Sequence, residues 1–183
     1  MQYEMTLDIP NQNGSENWPS FKGFSRPNKD TICVQNKIIV EIAKILRDWL
    51  KGYKEEVELD TLYADARILN RRAYEDGYHL TKILDNNGWE VDSDLVERLD
   101  FLPSMISTKV MLAETQWVID NNITPELRIG NKVKVKYGFG TRLGVISSIS
   151  ITEAKYYISA LNDTDFNGKL IVSYEDVIEV LSN

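Results

Sequence analysis

The sequence is poor in the residues that most metal and nucleophilic chemistry needs: among 183 residues there is one cysteine and one histidine. A single cysteine forms no intrachain disulfide, which fits a reducing, cytoplasmic setting. Cys/His zinc sets are excluded, as is any triad that needs two histidines. Long apolar runs are lacking too. None approaches the roughly 20 residues of a membrane span, and the start MQYEMTLDIPNQNG has no secretory apolar core. Neither GxxxxGKS/T nor GxGxxG occurs, so the usual phosphate-cradling loops are not expected. The expectation is a chain without a cofactor or metal, not an enzyme of a familiar class.

What is present is ordinary globular material, 43% apolar and 27% charged, with 28 acids against 21 bases and a net charge of −7. The charge is unevenly placed. Residues 1–125 hold 21 acids and 14 bases, whereas 126–183 hold 7 of each. The pattern of the chain changes at the same place, from long helical periodicities to short β-branched segments punctuated by glycine. We place a boundary near Asn122–Arg128, with Pro125 as a helix stop, giving domains 1–124 and 125–183.

In the first part, Tyr3, Met5, Leu7 and Ile9 alternate with polar residues and predict a half-buried strand ended by Pro10. A long loop rich in Asn, Ser, Gly and Pro follows. Its Trp18, Phe21 and Phe24 either pack along the domain or serve as a docking arm. Ile38, Ile39, Ile42, Ile45, Leu46, Trp49 and Leu50 lie on one helical stripe, predicting a helix over about Cys33–Lys51 that Gly52 ends. Leu59, Leu62, Ala66, Leu69, Ala73, Gly77, Leu80 and Leu84 predict one long helix over about Val57–Asn86, or two if it breaks at Gly77. Gly77 and Ala73 would admit a close neighbour. Asn87-Gly88 is a helix stop, and Asp92-Ser93-Asp94 is an N-cap cluster in which Asp94 and Glu97 suit a capping box. A short helix then runs to Phe101. Pro103 begins another, with Ile106, Val110, Ala113 and Trp117 on its inner face.

The second part reads as five short strands: Lys132–Lys136, Leu143–Ile146, Ala154–Leu161, Lys169–Val172 and a closing strand ending near Val180. Their spacing and Gly or Asn/Asp turns point to a small antiparallel barrel. The stretch RIGNKVKVKYGFGTRLGVISSI, with YYISAL and GKLIVSYEDVIEV after it, resembles the SH3-like small barrels, including those of the KOW type. Gly130, Val133 and Val135 match a G-x-x-V-x-V phrase, and Gly144 with Ile146 matches G-x-I. The resemblance implies a module that binds protein, RNA or DNA. The fold class expected for the whole is α+β: an N-terminal bundle of four to five helices with one leading strand, then a C-terminal SH3-like small antiparallel β-barrel.

Candidate chemistry is sparse. His79 lies off the apolar stripe and reads as a surface residue; Cys33 reads as a small buried side chain. The stretch from Asp85 to Asp94 lacks the ligand order of a calcium loop and reads as helix stop plus N-cap. Glu55, Glu56, Glu58 and Asp60 suit the positive end of a helix dipole. Tyr137–Arg142, with two glycines, reads as a hairpin. The basic feature carries more. Arg128, Lys132, Lys134 and Lys136 alternate with Ile129, Val133 and Val135, so a continuous strand would line one outer face with bases and send the apolar residues inward. Arg142 would extend that patch, and Tyr137 and Phe139 would stack on a base or pack on a partner. The plainer reading is a solvated face whose lysines guard a sheet edge.

Three functions follow. The first is a non-enzymatic binding or regulatory protein, in one version a phage or mobile-element accessory protein that inhibits a host nucleic-acid machine, such as a defence nuclease, by protein contact. Its acidic helical part would then occupy a basic channel. The second is a nucleic-acid-binding regulator using the basic strand face. The third is a small enzyme with a site of scattered acids or tyrosines. A protein partner is expected, nucleic acid is the alternative, a membrane is not expected, and a homodimer is open.

Overall fold

A computed structural model describes residues 18–53, 58–161 and 169–181. The fold is α+β, with helices first and a sheet last. Five helices are described: α1 (Ile32–Tyr53), α2 (Leu59–Arg71), α3 (Gly77–Asn86), α4 (Ser93–Asp100) and α5 (Leu102–Asp120). Five strands follow: β1 (Lys132–Tyr137), β2 (Gly140–Ser150), β3 (Lys155–Ala160), β4 (Lys169–Ser173) and β5 (Val177–Leu181), with a 3-10 turn over Tyr174–Asp176 before the last. The predicted strand at Tyr3–Ile9, the acids Glu55 and Glu56, and the turn starting at Asn162 lie outside the described residues.

The apolar stripe of α1 buries Ile38, Ile42, Leu46, Trp49 and Leu50 against Leu62, Ala66 and Leu69 of α2, with Leu80, Leu84, Leu95, Leu99 and Leu102 completing the helical core. Fully burying one such side chain contributes about 1.5–3 kcal/mol, which is why a three/four spacing of Leu and Ile is enough to hold these helices together. The helix runs through Gly52 to Tyr53 rather than ending at it.

Of the two readings of Val57–Asn86, one long helix or two broken at Gly77, the structure has the second: α2 and α3 are separated by 72–76, and α3 begins at Gly77. Asp76 takes an extended conformation and accepts the His79 N–H at 2.9 Å, which starts a new helix. Gly77 then donates its N–H to Asp100 Oδ1 at 2.5 Å. A Cβ at Gly77 would lie 2.1 Å from the Val96 carbonyl oxygen and 2.8 Å from the Asp100 nitrogen, so α3 meets the backbone of α4 only because residue 77 has no side chain. The expected close approach at Gly77 is therefore made by α4. At the next helix start the cap is Asp92, which accepts from Leu95 N–H at 2.9 Å, and not Asp94 with Glu97; Asp94 instead pairs with Arg98 one turn on. Asp92 also accepts from Trp49 Nε1 at 3.0 Å, so the cap and the core tryptophan share one carboxylate.

Helix α5 ends before Pro125. Asn122 adopts a left-handed φ of 51°, and the N–H groups of Ile123 and Asn122 return to the carbonyls of Val118 and Ile119. That is a Schellman stop, with Asn where Gly is commonest.

The sheet is antiparallel throughout, in the order β4-β3-β2-β1-β5. Val133, Val135, Ile146, Tyr156, Ile158, Leu170 and Val172 form its buried face. The five antiparallel strands expected for the barrel are present; among the described residues no ladder joins β4 to β5, which are the end strands of the hydrogen-bonded order, while β1 and β4 share one core. Gly144 lies where a Cβ would come within 2.2 Å of Ile158 Cγ2, which lets β3 pack across β2.

Helices and sheet share a boundary. Ala154, in the turn between β2 and β3, belongs to the helical core, and Tyr174 packs against both cores. Tyr174 stacks on Tyr156 with ring centroids 4.3 Å apart, and its hydroxyl donates to the Ser150 carbonyl at 3.2 Å. No described helix is long and apolar enough to cross a membrane.

Candidate functional site

The β1–β2 hairpin carries most of the basic and aromatic residues singled out in the sequence. Lys132 pairs with Val145, Lys134 with Leu143, Lys136 with Thr141 and Tyr137 with Gly140, so the loop is only Gly138-Phe139. Gly138 has a φ of 58° and Phe139 does not enter the left-handed region, the pattern of a II′ turn with Gly at its first central position. This turn places Phe139 at the tip, where it is fully exposed. The expected hairpin over Tyr137–Arg142 is present.

Residues opposite one another in an antiparallel ladder share a face. Val133 and Val135 are buried, and Lys132, Lys134 and Lys136 therefore stand together on the outer face, as the alternation predicts. The face is not purely basic. Leu143, 45% exposed, lies beside Lys134, and Glu179 of β5 faces the same lysine from the other side. Val145 and Leu181 flank Lys132.

Three expectations change. Arg142 pairs with Val135, so it stands on the opposite face from the lysines and does not continue their row. Arg128 does not belong to the strand at all. It opens a turn in which its N–H donates to Asn131 Oδ1 at 2.7 Å and Gly130 takes a φ of 93°, which breaks the alternation before Lys132. For the same reason Ile129 is exposed and fills no core. Tyr137, 45% exposed, shares the side of Val135 and Arg142, so the hairpin projects past the sheet's core with exposed residues on both faces.

A second cluster was missed by sequence reasoning. Arg26 Nε and Nη2 donate to Glu175 at 2.6 and 3.0 Å, and Nη1 contacts Glu114 at 3.3 Å. Nη1 and Nη2 also donate to the carbonyls of Glu153 and Ala154 at 2.8 and 2.9 Å. The guanidinium lies over the Trp117 ring, 4.9 Å from its centroid. Lys155 donates to the other oxygen of Glu114 at 2.7 Å. Burial works against the charge on Arg26, but its hydrogen bonds and attraction to Glu175 and Glu114 hold its pKa above the ordinary value. Burial likewise opposes the Glu175 charge, and the Arg26 hydrogen bond overcomes it and keeps the carboxyl below its usual range. Every charge here is answered, so the cluster is a clamp between helices and sheet rather than a reactive site. One signal was visible in the sequence: Glu114 falls among Val110, Ala113 and Trp117 on the inner face of α5, where an acid demands a cation.

The remaining candidates resolve simply. His79 is exposed and rests against Asp76, with Nδ1 2.7 Å from Oδ1. Cys33 is half-buried, and burial pushes its thiol pKa up, away from thiolate. Asp65 is buried and accepts from Trp89 Nε1 at 2.9 Å and Asn87 Nδ2 at 3.0 Å, a structural role. Trp18 and Phe21 pack against the helical core, whereas the Phe24 side chain is exposed and its backbone makes the contacts, the N–H donating to the Phe21 carbonyl at 3.0 Å and the carbonyl accepting from Trp117 Nε1 at 2.8 Å. Among the described residues no three His, Cys, Asp or Glu side chains gather as a metal site would require.

Comparison with protein-family models, with curated proteins and with solved structures gives no match to this chain.

Proposed function

We propose that this chain is a non-catalytic binding protein that acts by protein contact, with the β1–β2 hairpin as its contact finger. The observation that carries this reading is Phe139, a large aromatic side chain held fully in solvent by a two-residue turn on a rigid sheet. An aromatic in that position costs solubility and contributes nothing to either core, whereas aromatics are the commonest anchors of protein interfaces. Its surroundings suit a protein better than a phosphate backbone. Tyr137 and Leu143 add apolar area, and Glu179 faces Lys134 on the basic side. In the version we favour, the partner is a nucleic-acid machine that the chain inhibits. Asp85, Glu90, Asp94, Glu97 and Asp100 are exposed around α3 and α4, an acidic surface that suits a basic channel.

A photocrosslinking amino acid placed at position 139 tests this in the native host. The expected result is a protein adduct that survives nuclease treatment and is lost when Leu143→Ser and Tyr137→Ser are added. A nucleic-acid adduct, or none, overturns it.

Nucleic-acid binding is the second reading, favoured by the shared outer face of Lys132, Lys134 and Lys136 next to the exposed Phe139 at the hairpin tip. It requires affinity for single-stranded DNA or RNA that falls steeply with salt and disappears in Lys132→Glu/Lys134→Glu/Lys136→Glu.

A further inference from the structure

The last strand and the helical part enclose a cleft of about 740 Å³ that plays no part in the hairpin. One wall is β5 with Ile178 and Val180; the other is the link after α5, with Ile123 and Leu127, and Trp117 beneath Arg26. Two features of β5 set it apart from an ordinary finished edge. First, among the described residues Ile178–Leu181 make no hydrogen bond other than their ladder to β1, so against those residues the outer edge leaves N–H and C=O groups unpaired along the cleft. Second, apart from one bulge at Ile178, the strand reads VIEVL, with Ile178 56% and Val180 50% exposed and neither lysine nor proline in it. Edge strands are normally blunted by such residues, because an apolar open edge invites another strand. β4, the opposite edge, begins with Lys169.

Charge selects among possible occupants. The side chains around the cleft include three acids, Glu126, Glu175 and Glu179, and one cation, Arg26. That cation is already engaged by both Glu175 and Glu114, and Glu179 faces Lys134 across the β1–β5 ladder, so Glu126 is the acid that leaves the rim negative. A second copy pairing β5 with itself about its centre would set Glu179 against its own counterpart. The chain's own alternating segment, Tyr3–Ile9, carries Glu4 and Asp8, again the wrong sign. A basic strand from another protein meets both the open edge and the field.

We propose that β5 and its cleft take an extended basic segment of a partner protein by strand addition. Its backbone pairs with Glu179–Leu181 past the bulge at Ile178, alternate apolar side chains enter the cleft beside Trp117, Ile123 and Leu127, and a Lys or Arg reaches Glu126. In strand addition the main chain supplies affinity and alternate pockets supply the choice of sequence. This surface is distinct from the hairpin, so the two readings stand or fall separately.

The test is selection of a displayed random-heptapeptide library on the full chain, followed by anisotropy titration of the enriched peptides after synthesis. The expected peptides alternate apolar residues and carry at least one Lys or Arg. Binding should slow amide exchange at Glu179–Leu181 and weaken at least about tenfold in Ile178→Lys and in Val180→Lys, both exposed positions whose melting should not change. Glu126→Lys should weaken the basic peptide and restore binding when the peptide's Lys is changed to Glu, a rescue that a folding defect would not produce. Phe139→Ser should leave it unchanged. Acidic or patternless selections, or binding indifferent to these β5 variants, overturn the proposal. So does a β5-dependent dimer in sedimentation, or an edge whose amides are already protected in the free monomer.

Discussion

Arg26 and Glu175 form a two-point ion pair, Nε to Oε1 at 2.6 Å and Nη2 to Oε2 at 3.0 Å, across 149 positions of sequence. The pair joins the loop before α1 to the turn before β5. With Glu114 and Lys155 it ties the helical core to the sheet, while Arg26 and the Tyr174 N–H together hold the Ala154 carbonyl. Ala154 takes a left-handed φ of 49°, unusual for a residue with a side chain, and its burial in the helical core fixes it there.

Removing this hub's cation should be costly. Arg26→Ala leaves Glu114 buried with only Lys155 as partner and uncovers one face of Trp117, so chemical denaturation should show a loss of about 3 kcal/mol. Glu175→Gln, at the exposed side of the hub, should cost only about 1 kcal/mol. Equal losses in the two variants would show that the pair does not act as described.

Acid should loosen the same boundary. Glu175 is held below its ordinary range in the folded state, so its contribution is present above the unfolded value of about 4.3 and is lost as pH falls through the lower folded value. Asp120, held low by the Phe21 N–H and Gln116, works in the same direction where the early loop meets α5. Melting temperature should drop between pH 6 and pH 3, and the drop should be smaller in Glu175→Gln, an outcome that calorimetry reads directly.

Alkali should act through Tyr174. Burial pushes its hydroxyl pKa up, and the neighbouring Tyr156 adds to this. Its stabilising effect is therefore complete below the unfolded value of about 10 and is lost as pH rises through the folded value. Tyr174→Phe should flatten the alkaline fall in melting temperature.

Gly77→Ala should be among the most damaging single changes in the helical part. Its Cβ would meet backbone atoms of Val96 and Asp100 that have no room to yield, and a loss of about 3 kcal/mol or more is expected in urea denaturation. Gly52→Ala, in a helix with nothing within 4 Å of the added carbon, should instead be neutral or stabilise by up to about 1 kcal/mol.

Phe139→Ser should separate stability from binding. Nothing packs on the side chain, so the melting temperature should stay within the equivalent of about 0.5 kcal/mol, while contact with the partner captured at position 139 is lost. A large drop in stability would mean the tip is part of the core and not a contact.

Much of the fold was legible in the sequence because it rests on local pattern. The stripe of α1, the stop at Asn87-Gly88, the alternation of Lys132–Lys136 and the Gly-x turn at Gly138 are each decided by a few neighbouring residues. The misreadings share a different cause. Between Leu69 and Leu84 the apolar periodicity runs on as though one helix continued, and the break comes from the Asp76 cap together with the need of α4 to touch Gly77. Arg142 looked like an extension of the lysine row because linear order does not show which strand partner, Val135, it will face.

By itself the sequence determined the order of helices and strands, the inward valines and outward lysines of β1, and the exposed aromatic tip, since periodicities of 3.6 and 2 and one glycine torsion suffice for these. Tertiary structure alone decided the Arg26 clamp, the helical seat of Ala154 and the cleft along β5. Each joins residues far apart in the chain, and which distant charge answers Arg26 is set by how two cores pack, a property that no local window of sequence contains.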